Sequence, residues 1–225
     1  MAGAFGAFGK MPSLGDFFRT DIAASFVDPW DLWLQEGMLA ASTSLTDRWE
    51  GCYMSAPIWQ FTLSPGLAGP GAMIGVLMAS VDRVGRKFPL TLAAPIPDQN
   101  AALTHFQSDE LFHQLENLAL DALDDTMTRD ALAKAMAAIQ TPAVTVQPVT
   151  HRSAGQLSWV GQTAPGPHFA ASAVQGFQKP SIWSAHLNGN TQLMVTEGLP
   201  SPLQLTALFD PAASLWLPHS VEASA

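Results

Sequence analysis

The chain has 225 residues, a length that suits one large domain or one domain with an appendix. Hydrophobic residues make up 48% and charged residues only 13%, a balance that argues against an intrinsically disordered protein. The formal net charge of −9 disfavours nucleic acid as a partner, because duplex-binding proteins usually present a basic face.

The first part of the chain predicts a strand, a polar loop and a long helix. A short, glycine-spaced strand is expected at residues 4–8, followed by a loop over residues 10–16. Asp28-Pro29-Trp30-Asp31 predicts the start of a helix, because Asp28 can cap it and proline suits the first helical position. One face of this helix carries apolar residues at helical spacing. They are Trp30, Leu34, Met38, Ala41, Leu45 and Trp49.

The middle of the chain predicts three strands followed by two helices. The strands are expected at residues 58–63, 73–78 and 88–94, and a hairpin can join the last two. One helix is expected to begin near Ser108, and Thr128 is expected to cap the next. The buried positions predicted by spacing are Leu111, Leu115, Leu118 and Ala122 in the first helix and Leu132, Met136 and Ile139 in the second.

The last part of the chain predicts short strands and one further helix. Strands are expected at residues 144–149 and 157–160, with a loop at 165–167. A hairpin over residues 182–196 is indicated by the tight-turn sequence Asn188-Gly189-Asn190. A helix is expected at residues 203–209.

The order of these elements predicts an α+β fold. Consecutive strands joined by short loops favour antiparallel pairing over a repeated βαβ unit. The central strands are almost entirely apolar, which indicates cover on both faces. We therefore expect a three-layer α/β/α arrangement around a mainly antiparallel or mixed sheet. Residues 1–217 are expected to form a single domain, and residues 218–225 a flexible tail.

Cysteine content and hydropathy favour a reducing, cytoplasmic location. Cys52 is the single cysteine, so neither an intrachain disulfide nor a cysteine zinc cluster is expected. Residues 1–12 lack the basic start and the long apolar core of a secretory signal. No apolar run approaches the roughly 18 residues of a membrane-spanning helix. We expect a protein that is not embedded in a membrane.

Motif searches predict no catalytic residue, no metal site and no cofactor. Gly9-Lys10 fails the phosphate-loop pattern, because Ala4 stands where that pattern needs glycine and Met11 where it needs serine or threonine. The six histidines show no metal-binding spacing, and no serine lies in a Gly-x-Ser-x-Gly elbow. We therefore expect a protein that is not an enzyme.

The tryptophans divide into expected core residues and candidate anchors for a partner. Trp159, Trp183 and Trp216 could be partly exposed anchors, because interfaces are enriched in tryptophan. The others lie in helix or strand patterns, where bulky aromatic residues usually belong to the core. They are Trp30, Trp33, Trp49 and Trp59.

Two polar loops remain, and they leave two interpretations open. Residues 80–87 place one acid, two arginines, a lysine and a glycine between two apolar strands, which fixes the charges at one edge of the sheet. One interpretation is an internal network, with Asp82 paired to a nearby arginine and Asp16 holding the first loop. The other is a recognition edge, since arginine is enriched at binding hot spots. The candidate partner-binding residues are Lys10, Ser13, Asp16, Ser80, Asp82, Arg83 and Arg86.

Four ordered blocks within residues 6–97 carry a family resemblance. The blocks are Gly6-Ala7-Phe8-Gly9-Lys10-Met11-Pro12 with Gly15-Asp16-Phe17; Ser25-Phe26-Val27-Asp28-Pro29-Trp30-Asp31 with Trp33-Leu34; Ala56-Pro57-Ile58-Trp59; and Gly75-Val76-Leu77-Met78 through Ser80-Val81-Asp82-Arg83-Val84-Gly85-Arg86 to Phe88-Pro89-Leu90-Thr91. Together they resemble the TagF family, also called ImpM, of type VI secretion-associated proteins. Beyond residue 100 the resemblance is looser.

The resemblance implies a cytoplasmic accessory protein that restrains type VI secretion after translation. It also implies a protein partner, such as the forkhead-associated scaffold protein of the system, and no enzymatic activity in this region. A rival interpretation is a phosphate- or nucleotide-ligand sensor, or an uncharacterised enzyme, that uses Lys10, Asp82 and Arg86. Arginine and lysine together suit a phosphate group.

Overall fold

The computed structural model describes residues 3–97, 101–142, 149–153, 156–160 and 166–216. Its strands are β1 (Gly6–Gly9), β2 (Phe18–Thr20), β3 (Trp59–Leu63), β4 (Ala72–Met78), β5 (Leu90–Ile96), β6 (Val149–Ser153), β7 (Gln156–Val160), β8 (Pro180–Leu187) and β9 (Asn190–Glu197). Its α-helices are α1 (Ala24–Leu45), α2 (Trp49–Met54), α3 (Ala101–Phe106), α4 (Asp109–Asp121), α5 (Arg129–Ala137), α6 (Gly166–Ala173) and α7 (Pro202–Phe209). Short 3₁₀ turns cover Thr46–Arg48 and Ser214–Trp216.

Seven strands form one sheet in the order β2-β1-β5-β4-β3-β8-β9. Each neighbouring pair in this sheet is antiparallel. β4 and β5 form the predicted hairpin, while β6 and β7 pair with each other as a separate two-stranded sheet. The predicted α+β class is therefore confirmed, and the open choice between a mainly antiparallel and a mixed sheet resolves to antiparallel.

The two faces of the sheet contact two different apolar cores. Because side chains alternate along a strand, Met73 of β4 belongs to one core and Ile74 to the other. The first core includes Trp30 of α1 and residues of α7, and the second includes Leu115 of α4 and residues of α5. Helices on both faces give the three layers expected from the apolar central strands.

Aromatic rings fill much of the first core. Trp183 of β8 is fully buried, and its ring lies parallel to that of Trp30 with centroids 6.1 Å apart. The expectation that Trp183 is an exposed anchor is wrong, because β8 pairs with strands on both sides and turns this ring towards α1. Trp216 is half-buried and stacks 5.4 Å from Trp59. The side chain of Trp159 lies outside the described residues.

The predicted start of the long helix is also wrong. α1 begins at Ala24, so Asp28 and Pro29 lie inside the helix, and Asp28 is not the cap. Phe26 and Val27, in the added first turn, are buried in the first core. Burial of these two side chains extends the helix past the local capping signal, although proline removes one helical hydrogen bond.

Three shorter helices and one strand have no counterpart in the sequence-based prediction. α2, α3 and β2 were not expected, and residues 166–167 open α6 instead of continuing a loop. The other predicted helices are confirmed, including the cap at Thr128, whose side chain accepts a hydrogen bond from the Ala131 N–H. Residues 144–148 of the strand expected at 144–149, and the tail at 218–225, lie outside the described residues.

Among the helices of the described residues, none combines the length and the hydropathy needed to cross a membrane. The single domain over residues 1–217 stays a prediction.

Candidate functional site

The structure brings the two polar loops together at one end of the sheet. The backbone N–H of Arg83 donates to the Leu14 carbonyl at 2.8 Å. The guanidinium of Arg83 donates to the Ser13 carbonyl, and that of Arg86 donates to the Gly15 carbonyl at 2.6 Å. We call this pair of joined loops, residues 10–17 and 80–87, the clasp.

The carboxylate of Asp82 lies at the centre of the clasp, and its side chain is completely buried. Oδ2 accepts from the Lys10 ammonium at 3.0 Å and from Arg86 Nε at 2.6 Å. Oδ1 accepts from the backbone N–H of Val84 at 3.1 Å and from that of Arg86 at 2.9 Å. These donors together satisfy a buried charge that would otherwise be strongly destabilising.

The electrostatics of the clasp keep Asp82 ionised. Burial alone would raise the pKa of this carboxyl group. The backbone N–H of Arg86, the Lys10 ammonium, the Arg86 side chain and the Val84 N–H outweigh that effect and hold the pKa of Asp82 well below its ordinary value. Lys10 is itself only 6% exposed, and its ammonium lies 4.7 Å from the centre of the Phe17 ring. Lys10 and Asp82 therefore form an internal ion pair.

Tyr53 of α2 holds the start of the second loop. Its hydroxyl donates to the Ser80 carbonyl at 2.7 Å and accepts from the Ser80 N–H at 3.0 Å. Burial raises the pKa of the Tyr53 phenol, so this hydroxyl keeps its proton. The Ser80 side chain is buried, and its hydroxyl has no hydrogen-bond partner among the described residues.

Glycine is required at one turn and at one close approach in the clasp region. Gly85 has a φ of +83°, in the left-handed region that glycine enters without steric cost. Gly9 ends β1 against β5, where a β-carbon would collide with the Pro89 carbonyl oxygen. The two glycines thus fix the backbone of both loops independently of the side-chain contacts between them.

The outer clasp surface consists of Phe17, Arg83, Val84 and Arg86. Val84 is 72% exposed and Phe17 is 47% exposed, so the surface places apolar side chains beside the two arginines. Arg83 is exposed, and the Arg86 side chain is 57% exposed. Phe17 and Val84 were not among the predicted site residues, because an isolated apolar residue in a loop carries no signal of exposure.

The predicted site residues therefore divide between the inside of the clasp and its surface. Lys10, Ser80 and Asp82 are buried, because they form or flank the internal ion pair. Ser13 is half-buried and contributes its carbonyl to Arg83. The remaining three are exposed, and they are Asp16, Arg83 and Arg86.

Comparison with known protein families identifies the family of the chain that carries the clasp. The sequence profile described as the TagF N-terminal domain, type VI secretion system-associated, matches residues 6–139. The chain belongs to the TagF family. The match contains all four blocks that carried the resemblance, so the family prediction is confirmed.

This TagF-family chain also matches a solved structure over nearly its whole length. The crystal structure of PA0076 from Pseudomonas aeruginosa PAO1 is 32% identical in sequence, with a TM-score of 0.76. The alignment covers 96% of this chain and 98% of that one. The comparison with curated proteins gave no match. The similarity of fold therefore extends well beyond the residues that the family profile covers.

A second polar cluster lies on the sheet of the TagF-family protein, at the face opposite the tryptophans. His105 of α3 places Nδ1 2.9 Å from Thr62 Oγ1 and Nε2 2.9 Å from Ser184 Oγ. Ser184 donates to Gln60 Oε1 at 3.0 Å, and Gln60 Nε2 donates to Glu116 Oε1 at 2.7 Å. We call these five residues the His105 chain. It links β3, β8, α3 and α4 through side chains alone.

The His105 chain is neutral along most of its length. His105 is completely buried, and burial lowers the pKa of its imidazole to about 3. At neutral pH the ring is therefore an uncharged donor and acceptor between two hydroxyl groups. In the described part of the chain, no group of three or more histidine, cysteine or acidic side chains is arranged to hold a metal ion.

This cluster was not predicted from the sequence, because its contacts are not local. Thr62 lies 43 residues before His105, and Ser184 lies 79 residues after it. The available signal was the presence of polar side chains inside otherwise apolar strands, at Gln60 and Thr62 of β3 and at Ser184 of β8. Such residues need buried hydrogen-bond partners, but a strand pattern does not say which ones.

Proposed function

We propose that this TagF-family protein is a non-enzymatic binding module that restrains type VI secretion after translation. Its partner is a cytoplasmic component of the system, such as the forkhead-associated scaffold protein. It acts by occupancy, because a scaffold bound to this protein is withheld from assembly of the secretion machine. Family membership supports the link to type VI secretion, and the outer clasp surface supports a role in binding.

The observation that carries the proposal is that the outer clasp surface is held in place from within. Asp82 binds the backbone N–H groups of Val84 and Arg86, and Arg83 is tied to the first loop. A surface that is already ordered loses little conformational entropy on binding. Exposed arginine and apolar side chains are also typical of residues that dominate binding energy at interfaces.

Val84→Asp tests the surface without disturbing the interior of the clasp. Val84 contributes its backbone N–H to Asp82, which any residue other than proline can supply. We expect the variant to keep its melting temperature and to bind the purified scaffold protein at least about tenfold more weakly by isothermal titration calorimetry. In cells, the same variant should release secretion from restraint.

Leu120→Asp is the matched control, because Leu120 is 53% exposed on α4 and lies outside the clasp. It introduces the same charge at another exposed apolar position. If both variants bind the scaffold as the unmodified protein does, the outer clasp surface is not the contact.

The rival function, sensing of a phosphate or nucleotide by Lys10, Asp82 and Arg86, has weaker support. Asp82 already pairs with both cations, and the Lys10 side chain is 6% exposed. A phosphate would have to replace a buried carboxylate that is fully hydrogen-bonded. A thermal-shift screen with nucleotides and phosphopeptides separates the two functions, because a ligand of the folded state raises the melting temperature.

A further inference from the structure

A cavity of about 300 Å³ lies beside the His105 chain. It is bordered by the end of α3, the starts of α4 and α6, and the β8–β9 hairpin. Gln60, His105, Ser184 and Asp109 contribute polar groups to its wall, while Phe106 and Leu193 contribute apolar surface. This volume and this mixture of surfaces are typical of small-molecule sites.

The hydrogen-bond directions in the His105 chain follow from its last acceptor. Gln60 turns its NH₂ group towards the accepting Oε1 of Glu116 and its own Oε1 towards Ser184. Ser184 gives its proton to Gln60, and therefore His105 must donate from Nε2 to the Ser184 oxygen. Nδ1 of His105 then accepts from Thr62. All four hydrogen bonds of the chain thus donate in the direction of Glu116. Ser184 Oγ and Gln60 Oε1 each accept one of these hydrogen bonds and keep a further lone pair.

The charges around the cavity also favour a ligand that is positively charged and donates hydrogen bonds. Asp109 supplies a carboxylate, and neither lysine nor arginine belongs to the described lining. The imidazole of His186 also lines the cavity, and its Nδ1 lies 3.1 Å from Thr191 Oγ1. Asp109 and Glu110 occupy the first turn of α4, where their charges exceed the roughly half positive charge of a helix start. The start of α6 also borders the cavity, and Pro167 removes one of the backbone N–H groups that a helix start would otherwise offer to an anion.

We propose that this cavity binds a small organic cation, a primary ammonium or guanidinium group on a short apolar stem. The cationic N–H groups pair with Asp109 and donate to the free lone pairs of Ser184 and Gln60. The stem packs against Phe106 and Leu193. This site is independent of the proposed function, because the cavity lining and the outer clasp surface share no residue.

The test titrates the full chain with butylammonium and butylguanidinium, and follows ¹H–¹⁵N chemical shifts. Butanol and butyrate are the neutral and anionic probes of matched size. We expect both cations to shift the signals around Asp109 and Ser184, and to bind at least about tenfold more tightly than butyrate. Equal affinity for butyrate, or no localised shift with either cation, overturns the proposal.

Two exposed carboxylates on α4 give a matched pair of variants. Asp109→Asn should weaken binding of both cations by about tenfold, because it removes the charge and keeps the shape. Asp121→Asn, at the other end of the same helix, should leave the affinity unchanged. Both residues are exposed, so neither variant is expected to unfold. Identical titrations of the two variants overturn the assignment to this cavity.

A metabolite and a protein side chain can present the same cationic group. Butylguanidinium is therefore compared with acetyl-Gly-Arg-Gly-amide, which carries guanidinium on a peptide. Tighter binding of the peptide supports a cation site for a protein segment, and tighter binding of the free probe supports a site for a metabolite. Failure of both overturns the cation site and leaves the outer clasp surface unaffected.

Discussion

The clasp and the His105 chain both bury an ionisable side chain, but they treat it in opposite ways. In the clasp, Asp82 keeps its charge because Lys10, Arg86 and backbone N–H groups surround it. In the chain, His105 stays neutral between the hydroxyls of Thr62 and Ser184. Loops at a sheet end can deliver cations to a buried acid. The covered face of a sheet offers short polar side chains instead, so the ionisable group there gives up its charge.

The largest effect is expected from removing the charge at the centre of the clasp. Asp82→Ala leaves the Lys10 ammonium buried without its partner and frees two backbone N–H groups of the second loop. We expect a fall of about 10 °C in melting temperature, measured by calorimetry.

Asp16→Ala is the control for this variant. Asp16 lies in the same clasp but is exposed, and its carboxylate accepts from the neighbouring Phe17 N–H. We expect little change in its melting temperature. Similar losses in the two variants would contradict the central role of Asp82.

An intermediate effect is expected from the neutrality of His105. Its pKa is about 3 in the folded protein against an ordinary value of 6.5, so the unfolded chain takes up the proton first as pH falls. The contribution of this histidine to stability is therefore complete above pH 6.5 and lost on acidification. We expect the free energy of unfolding to fall by about 1.4 kcal/mol per pH unit below that value, measured by urea titration.

His105→Gln provides the comparison, because glutamine can hydrogen-bond without titrating. Differences between the two proteins from pH 7.5 to about 4.5 isolate this histidine, since the other histidines are common to both. Asp82 does not interfere, because its low pKa affects stability only below its ordinary value of 3.8. Parallel pH profiles would show that His105 does not govern acid sensitivity.

The smallest effect is expected from backbone strain at the tip of the clasp. Gly85→Ala places a β-carbon in open space but forces a left-handed conformation at φ +83°. We expect a loss of about 1 kcal/mol in unfolding free energy, measured by urea titration. Gly51→Ala in α2 also meets open space, but it lies in a helix and should stabilise the protein by up to about 1 kcal/mol. Equal effects of the two changes would contradict the strain argument.

The fold was predictable where one local signal dominates. The apolar run of β4 and the Asn-Gly turn between β8 and β9 gave strands within two residues of their observed bounds, because buried strands and tight turns have local patterns. The start of α1 was not predictable, since the burial of Phe26 in the first core overrides the signal at Asp28 and Pro29. β2 has only three residues, too few to carry a pattern.

The candidate site was predictable in its location but not in its interior. Charges bracketed by two apolar strands placed the second loop at a sheet edge, and the structure joins it to the first loop. The pairing of each arginine with its carbonyl depends on residues far apart in the sequence. Arg83 and Ser13 are separated by 70 residues, and Arg86 and Gly15 by 71. No local pattern encodes such contacts. The same reason hid the partners of His105.

The ultraviolet absorption of Tyr53 reports on the second loop of the clasp. It is the single tyrosine of the chain, and its hydroxyl hydrogen-bonds both the carbonyl and the N–H of Ser80. Burial raises the pKa of that phenol. If the hydroxyl separates from Ser80 and becomes exposed, the pKa falls, and ultraviolet absorption by phenolate appears at a lower pH. Spectrophotometric titration, measured together with the circular dichroism of the whole fold, can therefore tell a variant whose second loop has detached from Tyr53 from a variant that has unfolded.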